Sequence, residues 1–325
     1  MARHLIIGIS GQDGAFLAQN LVASGEYVVG TSRSSCAVPL PNLVRLGIAD
    51  SVPIVSADPA DETALLTAIR EHQIDRVYLL AGQSSVGLSF AEPVETYRGL
   101  VTPALTILDI LRRVAPHVRL LYAGSGEVFS PDDGLPFSER SRHSPKSPYA
   151  VAKSAAMTLV DSYRAVYGTF ASTAILFNHE SPLRPAAFVL PKIVSAAARM
   201  ARGSDERLSL GDIDIGRDWG WAPEYVVAMR RIIEHDTPDN FIVATGETHS
   251  IRDAITLIGK YFGVDLLERC DTSPALLRPC DARTVRVDPG KLYKTLGWRA
   301  TTSFGHILKL LCEAAVAEAP PLGSA

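Results

Sequence analysis

Short apolar runs alternate with helix-period segments through the first half of the chain. Runs that read as strands cover residues 4–8, 27–31, 52–56, 76–80, 118–123 and 173–177. Between them, apolar positions three and four apart predict helices over 14–24, 61–71, 93–114 and 147–167. The strands are apolar throughout rather than alternating, as in a parallel sheet buried on both faces. The expected fold is α/β, a doubly wound parallel sheet with ligands bound beyond the carboxyl ends of its strands. One rim should then carry residues 8–14, 32–35, 58, 81–85, 124–127 and 178–184. From about Pro182 the pattern shifts to proline-rich segments, arginine clusters and shorter elements, which read as a smaller lobe closing over that rim. Helices are expected there over 250–262 and 288–296, with Gly297 as the second one's stop. Residues 1–181 are assigned to the sheet domain and 182–318 mainly to the lobe, with segments of about 212–246 returning to the sheet. Residues 319–325 read as a frayed tail.

Composition narrows the class. A chain of 325 residues with 47% hydrophobic and 21% charged content fits one large or two medium globular domains. Lys and Arg number 32 against 35 Asp and Glu, a net charge of −3, which offers nothing to nucleic acid or an anionic membrane. No apolar run is long enough to cross a bilayer, and the first one stops at Gly8, too short for a signal peptide. Cys36, Cys270, Cys280 and Cys312 show neither a CxxC pair nor a framework spacing. They read as free thiols in a reducing cytosol rather than as a metal site, so a cytoplasmic location is expected.

The chemistry begins at residues 5–21, LIIGISGQDGAFLAQNL, where an apolar run passes through Gly8, Gly11 and Gly14 into a helical pattern. Glycines let the backbone approach a diphosphate, and the first helical turn offers unpaired N–H groups at a positive dipole end. The spacing GxxGxxG is usual in extended short-chain dehydrogenase/reductases. After the second strand, where an NAD site places an acid for the ribose hydroxyls, stand Ser32, Arg33, Ser34 and Ser35. Arg33 can fork onto a 2′-phosphate, which favours NADP over NAD; the alternative is a solvated surface arginine. Asp58 can accept from the adenine amino group or simply open the turn ahead of Asp61.

Tyr149 and Lys153, four apart on a predicted helix, share one face. A lysine charge beside a phenol, with a nicotinamide cation nearby, should lower the phenol's pKa and let it take a hydroxyl proton as hydride leaves the same carbon. Ser125 can hold that hydroxyl. Glu127 is a second ionisable group on the rim, able to remove a proton alpha to a newly formed ketone; otherwise it is a rim carboxylate in a salt bridge.

Taken together, these segments resemble the GDP-mannose 4,6-dehydratase family: GISGQDG at 8–14, LAGQSSVGLSF at 80–90, SPYAVAK at 147–153, FNHESP at 177–182, RDWG at 217–220, ATGETHS at 244–250, and Arg278-Pro279. The likeness runs from about residue 4 to about residue 315, and FNHESP, RDWG and ATGETHS are its narrowest marks. It implies a Rossmann-type sheet with a substrate-binding lobe and tightly held NADP. The implied reaction is an internal redox that ends in a 4-keto-6-deoxy sugar with no net consumption of cofactor. The implied catalytic set is Ser125, Glu127, Tyr149 and Lys153. Tyr149 takes the C4 hydroxyl proton, Glu127 takes the C5 proton and helps expel the C6 hydroxyl, and Lys153 holds the nicotinamide ribose. The implied cofactor set is Gly8, Gly11, Gln12, Asp13, Gly14, Arg33, Asp58, Leu80, Ala81, Gln83, Thr96, His179 and Arg184, with Tyr149 and Lys153. The implied substrate set is Ser84, Ser85, Asn178, Lys192, Gly211, Arg217 and Arg278, the last and Arg217 as diphosphate clamps.

Three departures from the family pattern change expectations. Gly126 replaces a serine beside Glu127, leaving Glu127 to act as both base and acid. It should also leave space near C6, which suggests a bulkier GDP-manno-heptose as an alternative substrate. Ser85 replaces a histidine. Ser34 replaces a second arginine, and the loop after it is reduced to residues 36–46. In the family that loop reaches a neighbouring subunit and supports a tetramer, so a homodimer paired through helices 93–114 and 147–167 is expected here, with a tetramer the alternative. A GDP-sugar 4-ketoreductase or 4-oxidase is the competing enzyme reading, and a cofactor-sensing module without activity is the non-enzyme one.

Overall fold

The structure, a computed structural model, describes residues 1–33, 39–277 and 283–318. Its strands are β1 (Arg3–Ile7), β2 (Tyr27–Ser32), β3 (Ile54–Ser56), β4 (Arg76–Leu79), β5 (Arg119–Ser125), β6 (Ala171–Leu176), β7 (Asn178–Glu180), β8 (Leu208–Leu210), β9 (Gly216–Arg217), β10 (Trp219–Trp221), β11 (Asn240–Val243), β12 (His249–Ser250) and β13 (Cys270–Thr272). Its helices are α1 (Gln12–Ala23), α2 (Pro41–Arg45), α3 (Glu62–Glu71), α4 (Val86–Ala91), α5 (Pro93–Val114), α6 (Pro148–Tyr167), α7 (Val189–Met200), α8 (Ala222–Glu234), α9 (Ile251–Phe262), α10 (Gly290–Leu296) and α11 (Phe304–Ala317).

Seven strands form one sheet in the order β11-β6-β5-β4-β1-β2-β3, every neighbouring pair parallel. The chain leaves β1 toward β2 and β3, then returns to β4 and proceeds the other way. The crevice at that reversal, above the ends of β1 and β4, is where such sheets bind ligands. Helices α3, α5 and α6 cover one face through Leu65, Ile107, Leu111 and Met157; α1 and α8 cover the other through Leu17, Leu21, Met229 and Ile233. Leu100, Ala104, Ile107, Leu108 and Leu111 recur at helical spacing, which fixes the buried stripe of α5. Helix α6 starts where the Ser147 hydroxyl accepts from Ala150 N at 3.1 Å, with Pro148 in the first turn, and ends at Gly168 with φ 68°.

A separate core of α7, α9 and α11, with Leu208, Leu210 and Trp219, forms the second lobe. The elements after Pro182 are not all short: α7, α8 and α11 have 12, 13 and 14 residues. Pro191 and Pro223 lie in first turns, where a missing N–H costs nothing, so they start helices instead of breaking them. Helix α8 packs on α1 and β11 pairs with β6, so residues 222–243 belong to the sheet layers. The outer side of β11 is occupied by side chains. Glu139 accepts from Ile242 N at 2.9 Å, and Lys291 donates to Asn240 O at 2.8 Å while pairing with Asp239 at 2.6 Å.

Candidate active site

The glycine loop closes against the β4 loop. A Cβ on Gly8, whose φ is 99°, would lie 2.6 Å from Ala81 N, and one on Gly14 would lie 2.4 Å from Gly8 O. Among the described residues, one on Gly11 would meet only Gly8 O, at 3.5 Å, so the open side of the turn faces outward. Gly11 caps α1 without any side-chain hydrogen bond, which leaves the helix's first N–H groups for an anion. Leu80 N is tied to Ile7 O at 2.9 Å. Gln83 Nε2 donates to the buried Thr96 hydroxyl at 2.9 Å, and Gln83 Oε1 accepts from Ser85 N at 2.7 Å, so the β4 loop is braced on α5. Arg33 is exposed at the end of β2, and Ser34, Ser35 and Cys36 lie outside the described residues. Asp58 is exposed and accepts from Ala60 N at 2.8 Å, a turn-forming contact.

Beneath the loop lies a buried polar knot. His179 Nδ1 faces the Phe177 carbonyl at 2.7 Å and Nε2 faces the Asp13 carboxylate at 2.9 and 3.0 Å. A carbonyl only accepts, so Nδ1 carries a proton. Burial pushes the Asp13 carboxyl up, but the charge and hydrogen bond of His179 outweigh it and hold it below its ordinary value. Gln12 donates to Asp13 at 3.1 Å and to His179 O at 3.3 Å, and accepts from Ser181 at 2.7 Å. The motif FNHESP is thereby bolted to the glycine loop. Arg184 Nε lies 3.7 Å from the buried Glu180 carboxylate, and neither Nε nor Glu180 Oε2 has a hydrogen-bond partner among the described residues. A glycine cradle, uncapped N–H groups and an unbonded arginine donor fit a dinucleotide phosphate chain.

Tyr149 and Lys153 lie on the buried face of α6 toward β5. Lys153 Nζ donates to Ala123 O at 2.7 Å and sits 5.0 Å from the Tyr122 ring centre and 6.0 Å from that of Tyr149. Burial lowers the Lys153 ammonium to about 8. Burial raises the Tyr149 phenol to about 12, with a hydrogen bond from Ser125 opposing and Glu127 adding. The expected lowering of the phenol is therefore not produced by this chain's residues. Desolvation outweighs the Ser125 hydrogen bond and the charge of Arg184, and a bound nicotinamide cation is a further source of positive potential.

In front of Ser125 opens a cavity of about 470 Å³ whose lining includes Glu127, Phe177, Asn178, Arg217 and Arg283. The narrow motifs are paired around it. β7 pairs with β10, setting Asn178 beside Trp219, and β12 pairs with β9, setting His249 beside Arg217. The buried Asp218 carboxylate clasps the last two, accepting from Thr245 N at 2.9 Å and Gly246 N at 2.7 Å. The family model for GDP-mannose 4,6 dehydratase matches residues 5–311. This chain belongs to that family. The GDP-mannose 4,6 dehydratase 2 of Caenorhabditis elegans is 35% identical, over 98% of this chain and 90% of its own. The enzyme of Sinorhizobium fredii is 34% identical, over 95% and 94%. Among solved structures, DesIV, the dTDP-glucose 4,6-dehydratase of Streptomyces venezuelae with NAD and TYD bound, aligns with a TM-score of 0.88 at 20% identity over 97% of both chains. RMD of Pseudomonas aeruginosa, complexed with NADPH, aligns at 0.81 and 25% identity over 98% and 100%. The Rossmann-type α/β fold expected from the sequence is the fold observed.

Of the residues implied by the family likeness, Ser125, Glu127, Asn178 and Arg217 line one cavity, and Tyr149 is bonded to Ser125 from behind. Ser84 is exposed, and Ser85 caps α4, accepting from Leu88 N at 3.2 Å. Lys192 donates to Ser209 O at 2.6 Å, and a Cβ on Gly211 would lie 2.8 Å from Leu276 O; both sit beside β8, outside this cavity's lining. Arg278 lies outside the described residues. The space expected at Gly126 is filled: a Cβ there would lie 2.7–2.9 Å from the Phe177 ring. The ring takes the volume a side chain would use, which removes the structural ground for a bulkier heptose. The sequence reading missed Phe177, Asp218 and Arg283, although the first two lie inside the quoted motifs.

Proposed function

We propose that this chain converts GDP-mannose to its 4-keto-6-deoxy form with NADP as the bound cofactor. The observation that carries this is Ser125 and Glu127 side by side in one cavity, with Tyr149 and Lys153 behind them. NADP, when bound, supplies the acceptor for the C4 hydride and the same hydride for C6. Tyr149 takes the C4 hydroxyl proton while Ser125 holds that oxygen. Glu127 takes the C5 proton, acidified by the new ketone, and delivers it to the C6 hydroxyl, which leaves as water. The proton taken by Tyr149 ends on C5 as the hydride reaches C6, so one hydride is lost and regained and the net change is loss of one water.

Lys153 orients the nicotinamide ribose and the glycine loop holds the diphosphate, with Gln12, Asp13, His179 and Arg184 beneath it. Arg33 at the end of β2, with no carboxylate among residues 27–33, supports NADP over NAD. Asn178, Lys192, Gly211 and Arg217 are assigned to the sugar nucleotide, and Arg278 by sequence alone. A homodimer through α5 and α6 is supported by Val94, Tyr97, Leu105, Val151 and Val166, all exposed on those helices. A reducing cytosol suits the free thiols of Cys270 and Cys312.

The test is mass analysis of GDP-mannose incubated with the purified protein, which should show loss of one water. In Glu127→Gln, dehydration should fall about a hundred- to ten-thousandfold while hydride exchange at C4 persists. A reductase or oxidase would be little affected by that change, and that result would overturn the dehydratase reading.

A further inference from the structure

Residues 283–288 run extended along the cavity and are fixed by backbone pairing. Gly216 N donates to Arg283 O at 2.8 Å, Phe137 N to Arg286 O at 2.9 Å, and Asp288 N to Phe137 O at 2.8 Å. The Thr248 hydroxyl also donates to Val285 O, at 2.5 Å. In an extended segment alternate side chains share a face. Arg283 and Val285 line the cavity, and Val287 continues that row into the core. Gly216 pairs with Thr284, so Arg217 and Arg283 fall on the same side of this ribbon, on neighbouring segments. Both line the cavity that holds Glu127.

Among the described residues, no carboxylate forms an ion pair with Arg283. Asp214, the carboxylate whose titration feels its charge, is held by both arms of Arg252 at 2.7 and 3.1 Å. An exposed guanidinium on a backbone-anchored segment at the cavity wall, beside a second guanidinium, suits a doubly charged phosphate anion. We propose that Arg283 is a substrate-binding residue whose guanidinium takes the diphosphate of the sugar nucleotide beside Arg217. This rests on the reading of the cavity as a sugar-nucleotide site. The nucleoside and the hexose are then read by other residues, and Arg283 reads only the charge between them.

The test is calorimetric titration of the full chain, wild type and Arg283→Gln, with guanosine, GDP and GDP-mannose. Arg283→Gln should weaken GDP and GDP-mannose by the same factor, about tenfold, and leave guanosine within about twofold. Arg283→Lys should recover part of the loss, since a point charge replaces a fork. Arg286→Gln, one face around on the same segment, should bind GDP as the wild type does. Unchanged GDP binding in Arg283→Gln overturns the assignment, as does an equal loss for guanosine or a loss confined to GDP-mannose. A wild-type chain that takes UDP or dTDP in place of GDP overturns the guanine reading, and Arg283→Gln must then weaken that nucleotide by about tenfold or the assignment falls with it. A chain that binds no nucleoside diphosphate overturns both.

Discussion

Gly126 and Phe177 share one volume, and each explains the other. With no side chain at 126, the aromatic ring rests against the backbone beside Glu127, 6% exposed. Gly126→Ser should force that ring aside and destabilise the fold by about 1–3 kcal/mol, measured by chemical denaturation. Adding Phe177→Leu should return most of the loss; no recovery would mean that the two positions do not compete. Asp218 carries a second residue-scale prediction. Burial lifts its carboxyl from 3.8 to about 6, although the amides of Thr245 and Gly246 pull it down. The folded chain therefore binds a proton that the unfolded chain releases between those values. The stability it contributes is complete below about pH 4 and is lost as pH rises through about 6, up to about 3 kcal/mol. In Asp218→Asn, denaturation midpoints should lose that fall with pH, and a slope identical to wild type would refute the assignment.

At the scale of elements, helix ends explain residues that look functional in the sequence. Ser250 closes ATGETHS, but its hydroxyl accepts from Asp253 N at 3.0 Å while Asp253 accepts from Ser250 N at 2.8 Å. This is a reciprocal cap on α9, so Ser250→Ala should cost about 1 kcal/mol of stability and leave nucleotide binding unchanged. The strands and helices of the sheet could be read because their periodicity is uninterrupted. Helix α5 spans the predicted bounds, and α6 begins one residue after them. Helices α7 and α8 could not be read in the same way, because their prolines imitate breaks that only the first-turn position makes harmless. The glycine loop and the Tyr149–Lys153 pair follow from local spacing alone. The seating of Phe177 against Gly126 depends on two segments 51 positions apart in the chain, and no local pattern reports it. Arg283 lies in a segment whose alternation is visible, yet nothing in the sequence says which side faces a cavity.

For the whole molecule, Val94, Tyr97 and Leu105 on α5 and Val151 and Val166 on α6 are exposed, and the two helices pack on one another. If that surface pairs two copies, Tyr97→Glu with Val151→Glu should yield a species of half the mass by light scattering, with its fold intact by circular dichroism. A wild-type chain already at the mass of one subunit would dispose of the dimer. The described borders of the sheet are poorly suited to growth. At one border β3 is only three residues long, and at the other Glu139 and Lys291 already occupy an amide and a carbonyl of β11. Borders blunted in this way disfavour open-ended fibrils grown from the native state. If α5 and α6 meet their own copies, association saturates at a closed pair, and crowding such molecules would yield finite particles.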